Sequence, residues 1–158
     1  MAVENNHTQF SSLFSPADVV CQTEEKDRDK VLRDLLEVLA RRRGIGSIEQ
    51  AYRAVLERET DLATLVAPGL AMPHARLEAI DGLVVGVATS RQGIVYDPLR
   101  PDSLVKLVVL TLAPKTAPGA YLQALSSLAR ICQDPSTPDV VASLPTAEQV
   151  WAFFDEGG

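Results

Sequence analysis

Cysteine and histidine are both scarce: 158 residues hold two of each, Cys21 with Cys132 and His7 with His74. Cysteines so far apart make no disulfide framework, and so few ligand-type side chains offer no zinc spacing, so no metal site is expected. Basic excess is missing too. Fifteen Lys and Arg face 21 Asp and Glu, for a net charge of -6. That balance argues against a sequence-independent duplex-DNA or anionic-membrane binder, so no nucleic acid partner is expected. No apolar run approaches the roughly 18 residues of a membrane helix. The longest, Leu107 to Leu110, is extended only by Thr111. Without a membrane span or a secretory segment, a soluble protein in a reducing cytoplasm is the expectation. Phosphate-cradling loops and nucleophile elbows are also missing. Gly44-Ile45-Gly46 lies between two helical patterns, and Ser126-Ser127 falls inside another without flanking glycines. No cofactor is expected.

What the chain does have is apolar content, 46% of its residues. A domain of this length buries roughly 70% of its unfolded surface and needs no staples. Residues 1–10 are polar and aperiodic, which predicts a flexible tail; 11–158 read as one domain. Val31, Leu32, Leu35, Leu36 and Leu39 recur at helical spacing and end at Arg41-Arg42-Arg43-Gly44. The three arginines either suit the negative end of the helix dipole or form a docking patch. A second helix is signed by the Ser47/Gln50 capping box, with Ile48, Ala51, Tyr52, Val55 and Leu56 on one stripe. Leu83–Ala88 and Val105–Leu112 are β-branched runs bounded by turn residues, hence strands. The second is apolar on both faces, as in a sheet covered by helices on either side. Leu122, Leu125, Leu128, Ala129 and Cys132 form a third helical stripe after Pro118. Thr137-Pro138 caps a short helix, and Thr146/Gln149 caps a last one. The expected fold is a single layered α/β domain, a mixed sheet flanked by helices on both faces.

Three residues stand out chemically. At 100° per residue, Glu59 falls inside the apolar stripe of the second helix and Arg58 on its flank, whereas Glu57 points to water. Buried charge is costly unless paired, so Arg58 and Glu59 either hold each other or serve a site. His74 follows a rigid proline at the end of a short apolar run, with Arg76 two residues on. An imidazole can be a neutral nucleophile at cell pH, but a lone histidine beside an apolar run is more often a satisfied structural residue.

Together, Leu56-Glu57-Arg58-Glu59, then Gly69-Leu-Ala-Met-Pro-His74-Ala-Arg76, two strands, and Tyr121-Leu-Gln-Ala-Leu-Ser-Ser-Leu-Ala129 resemble a known family. It comprises the enzyme IIA domains of fructose, mannitol and nitrogen-regulatory type in the bacterial phosphoenolpyruvate-dependent phosphotransferase system. The likeness runs from about Leu13 to Phe154 and implies a fold like that of mannitol-specific enzyme IIA.

The resemblance implies a phosphoryl carrier without metal or cofactor. His74 would accept a phosphoryl group from the histidine phosphocarrier protein and pass it to an enzyme IIB, or use it as a signal to a regulatory target protein. Arg58 would be the counter-charge, Arg76 an auxiliary one, and Glu59 would orient Arg58 or simply pair with it. Leu70, Ala71 and Met72 would limit water near a hydrolysable phosphohistidine. A shallow apolar rim is expected, because the substrate is carried by another protein. Many relatives begin the Leu-rich helix with a second histidine, where this chain has Tyr121. A phenol can donate a hydrogen bond to phosphate or imidazole, or merely pack there, but carries no positive charge near neutrality. That departure leaves a second reading open, a regulatory or degenerate binding module with slow transfer or none. Which sugar lies downstream, and whether the chain forms a homo-oligomer, is not written in these residues.

Overall fold

The structure, a computed structural model, describes residues 10–61, 65–117 and 119–156; His7, the rest of the tail up to residue 9, and Pro118 lie outside them. Two 3-10 turns, Phe10–Leu13 and Pro16–Asp18, lead into β1 (Val19–Val20), followed by α1 (Arg28–Arg42) and α2 (Ile48–Asp61). Next come β2 (Leu65–Ala67), β3 (Leu70–Ala71), β4 (His74–Leu77), β5 (Val84–Val95) and β6 (Leu104–Pro114). The chain closes with α3 (Ala120–Ile131), α4 (Thr137–Ala142) and α5 (Ala147–Asp155).

The six strands form one mixed sheet in the order β1-β5-β6-β3-β2, with β4 also on β6. β5 and β6 are antiparallel, and β1 pairs parallel with β5. β3 and β4 both run parallel to β6. Alternation along β5 and β6 sorts their side chains between two cores. Val84, Ala88, Val108, Leu110 and Leu112 pack with the leucine stripe of α1 and the apolar stripe of α2. Val85, Val87, Leu107 and Val109 pack with α3, α4, α5 and the N-terminal turns. The expected layering, helices on both faces of a mixed sheet, is what forms.

Helix ends follow local chemistry. Asp27 caps α1 by accepting from the Asp29 amide, Ser47 Oγ accepts from the Gln50 amide at 3.2 Å, and Thr146 Oγ1 accepts from the Gln149 amide at 3.1 Å. One cap shifts: Thr137 is the first residue of α4 and Ser136 precedes it, so Pro138 occupies the second position, where its missing N–H is still harmless. The tail boundary shifts as well. Phe10 is buried against Phe14 and Phe154, with ring centroids 5.5 and 5.2 Å away; an isolated aromatic carries no periodic signal. The strand around β5 runs on to Val95 through an irregularity at Gly93, whose φ of +99° a side chain would rarely adopt.

Arg42 and Arg43 are engaged by Asp18, which is 0% exposed and accepts from Arg42 Nε at 3.2 Å and Arg43 Nη2 at 2.8 Å. Burial alone would raise the Asp18 pKa, but the Arg43, Ser15 and Arg42 hydrogen bonds together hold it below its ordinary value. A depressed carboxylate stabilises the fold above its unfolded pKa of about 3.9 and loses that contribution as pH falls through the lower folded value. Asp18→Asn should therefore lower stability by about 1–3 kcal/mol at pH 7. In urea unfolding followed by circular dichroism, the gap to wild type should close below about pH 3.

Candidate functional site

His74 owes its place to a proline. Leu70 pairs with Leu107, Ala71 with Val108 and His74 with Thr111. The same offset holds on both sides of Met72-Pro73, so β3 and β4 form one in-register strand that Pro73 interrupts without inserting a residue. Pro73 donates nothing, but its carbonyl still accepts from the Thr111 amide at 3.0 Å. Gly69, at φ +79°, makes the turn from β2 into β3. β2 reaches only as far as β3, so among the described residues the outer side of β4 pairs with no strand. His74 thus stands at a sheet edge, while Ala75 and Leu77 point into the α1–α2 core and Arg76 is exposed.

The residues singled out in the sequence gather around this ring. Arg58, exposed near the end of α2, places Nη2 3.4 Å from His74 Nε2. A guanidinium only donates, so this long contact requires a lone pair on Nε2 and puts the imidazole proton on Nδ1. Tyr121, in the first turn of α3, stacks on the imidazole with centroids 4.2 Å apart and planes 26° from parallel. Arg76 follows two residues along β4, close enough to act on the ring electrostatically. Glu59 is 5% exposed, as its place inside the apolar stripe predicts, whereas Arg58, expected on the flank of that stripe, is exposed; the Glu59 charge reaches both Tyr121 and Arg28 at the start of α1. Leu70, Ala71 and Met72 are fully buried beneath the site. The half-buried ring is neither sealed in nor without cationic neighbours.

Burial is the main influence on His74 and lowers its pKa. Arg58 and Arg76 lower it further, against the Met72 backbone, which favours a proton on the ring. Buried Nδ1 itself closes no hydrogen bond of good geometry. The result is an imidazole neutral below its ordinary range, with its free lone pair turned toward solvent and a guanidinium. Burial first, then Glu59, raise the Tyr121 pKa against the opposing pull of Arg58, so it remains a neutral phenol at cell pH. No cluster of three or more His, Cys, Asp or Glu side chains that could hold a metal exists among the described residues.

One neighbour of the ring escaped the sequence reading. Thr111 sits opposite His74 on β6, 0% exposed, and its hydroxyl has no hydrogen-bond partner. A single hydroxyl inside the most apolar run of the chain was the available signal.

The family model for the phosphoenolpyruvate-dependent sugar phosphotransferase system, EIIA 2, matches residues 12–157. The chain belongs to this family. It is 29% identical over 120 residues to the fructose-specific EIIA component of Haloferax volcanii, covering 75% of this chain and 77% of that protein. Nitrogen regulatory protein IIA-Ntr from Neisseria meningitidis shares the fold at a TM-score of 0.79 and 22% identity, over 93% of this chain and 99% of its own. Enzyme IIA for mannitol from Escherichia coli, solved in complex with its phosphorylated enzyme IIB, superposes at a TM-score of 0.76 and 18% identity, over 90% and 97% of the two chains. EIIA proteins are components of a phosphotransferase system, and this family also holds regulatory members. Within the described residues, no EIIA helix is long and apolar enough to cross a membrane.

The electrostatic account of the ring is checkable by itself. Removing the Arg58 guanidinium takes away one of the cations that oppose protonation, so Arg58→Ala should raise the His74 pKa, read from the pH dependence of its ring proton shifts. An unchanged titration would mean that Arg58 does not act on the ring.

Proposed function

We propose that this chain is a phosphoryl carrier whose nucleophile is His74 Nε2. The observation that carries the reading is the approach of the Arg58 guanidinium to within 3.4 Å of His74 Nε2 at a sheet edge. As the phosphorus–nitrogen bond of an incoming phosphohistidine breaks, the Nε2 lone pair forms the new one, and the donor's ring nitrogen leaves with its electron pair. The loaded ring is then a cation, protonated on Nδ1, until that proton passes to solvent. Catalysis of such a transfer is mostly positioning and charge stabilisation. Arg58 meets the oxygens that spread from phosphorus in the transition state, Arg76 adds cationic field, and Glu59 anchors the end of α2. Tyr121 fixes the plane of the imidazole by stacking and offers one phenolic hydrogen bond.

The donor in this reading is the histidine phosphocarrier protein, and the acceptor is an enzyme IIB, as in the Escherichia coli mannitol complex. A regulatory role is the second reading, favoured by Tyr121 in place of a chargeable imidazole and by the likeness to nitrogen regulatory proteins. In that case the phosphoryl group on His74 is a signal, or transfer is too slow to matter.

The test is to incubate the purified chain with phosphoenolpyruvate and the general phosphotransferase proteins and follow an acid-labile phosphoryl adduct by intact mass. His74→Ala should abolish it. Arg58→Ala should slow its formation by about 10²–10³, the usual size of a lost transition-state donor, with an unchanged circular dichroism spectrum. Tyr121→His should speed transfer if the phenol limits it. A wild-type chain that stays unlabelled with a competent donor would leave the binding-module reading in its place.

A further inference from the structure

Thr111 carries a cost that the unloaded protein does not explain. Its hydroxyl is fully buried in strand β6 and makes no hydrogen bond, although a buried polar group left unpaired costs about 1–3 kcal/mol. Valine would fit the same strand position without that penalty. Directly beside it, His74 Nδ1 is also buried and closes no hydrogen bond. The two residues are register partners in parallel strands, so their side chains rise from the same face of the sheet on neighbouring backbones. Two unsatisfied polar atoms side by side point to a partnership made in another state of the ring.

Loading Nε2 creates that state. In the free ring, Nδ1 carries the proton, a state that the Met72 backbone carbonyl, an acceptor, favours. Once a phosphoryl group occupies Nε2 and the Nδ1 proton has passed to solvent, Nδ1 holds a lone pair. A carbonyl, itself an acceptor, cannot satisfy it. A hydroxyl can, because it donates as readily as it accepts. Thr111, the register partner of His74 on the neighbouring strand, carries the unpaired hydroxyl.

We infer that Thr111 is a positioning residue for the loaded site: its hydroxyl donates to Nδ1 of phosphorylated His74 and holds the ring in its deprotonated, long-lived form. This rests on His74 Nε2 as the phosphoryl acceptor. The deprotonated ring is the poorer leaving group, so this hydrogen bond sets how long the phosphoryl group survives between partners. The other charges around the ring are Arg58 from α2, Arg76 on β4 and buried Glu59, with the Tyr121 phenol from α3. All are common to the variants compared below.

Wild type, Thr111→Val and Thr111→Ser are phosphorylated with phosphoramidate, a small-molecule donor that needs no partner protein. The Nδ1 pKa of the loaded ring is read by 15N NMR, and the lifetime of the adduct at pH 7 by intact mass. Valine should raise that pKa by about one unit, a tenfold change in the protonation equilibrium, and shorten the lifetime several-fold. Serine should match wild type. The unloaded valine variant should melt no lower than wild type, because it loses only an unpaired hydroxyl. Equal pKa values and lifetimes for the loaded wild-type and valine proteins would overturn the inference. Loading by phosphoramidate but not by the phosphocarrier protein would sink the relay reading alone; failure of both donors on folded wild type would sink both.

Discussion

The in-register pairing of β3 and β4 with β6 is the constraint on which the site depends. Parallel pairing through Leu70, Ala71 and then His74 fixes where the imidazole emerges, and Pro73 breaks the hydrogen-bond ladder without breaking that register. Among the described residues β2 pairs only with β3, so the same strand has a strand neighbour on its outer side along one part and none along the next. The histidine opens β4, with two residues between it and Ala71, the last position paired with β2. Its backbone is tied into the central sheet while one ring nitrogen remains reachable, so a rigid support and an open approach coexist at one residue.

Around that support the charges divide by depth. Arg58 and Glu59 are adjacent on α2, yet a step of 100° sends one to the surface beside Nε2 and the other into the interior. An exposed guanidinium costs little to keep and can turn to meet an arriving anion. A buried carboxylate needs cationic company, and Arg28 from the start of α1 lies within its electrostatic reach. The end of α2 is thereby coupled to the helix packed beside it. The same neighbourhood disfavours a charge on His74, through burial first and then the two arginines.

Much of this was legible in the residues because it depends on local periodicity. The stripes of α1 and α2, the capping pairs Ser47/Gln50 and Thr146/Gln149, and the two long strands repeat at intervals a short window can see. The inward turn of Glu59 follows from the same count. What escaped was short or distant. β1 and β2 are two and three residues long, too brief to show alternation. The stacking of Tyr121 on His74 joins residues far apart in sequence, and only sheet register brings Thr111 beside the ring. Phe10 looked like tail because its partners, Phe14 and Phe154, come partly from the opposite end of the chain.

That last contact reaches beyond packing. Trp151 of α5 donates its indole N–H to the carbonyls of Ser11 and Phe14, at 2.9 and 3.0 Å, and Ser11 Oγ donates to Asp155 at 2.8 Å. The first and last described stretches of the polypeptide are thus buckled together. A module joined at Phe10 or at Asp155 would hang from nearly the same anchor point, so changing the place of attachment between them would alter its tether very little.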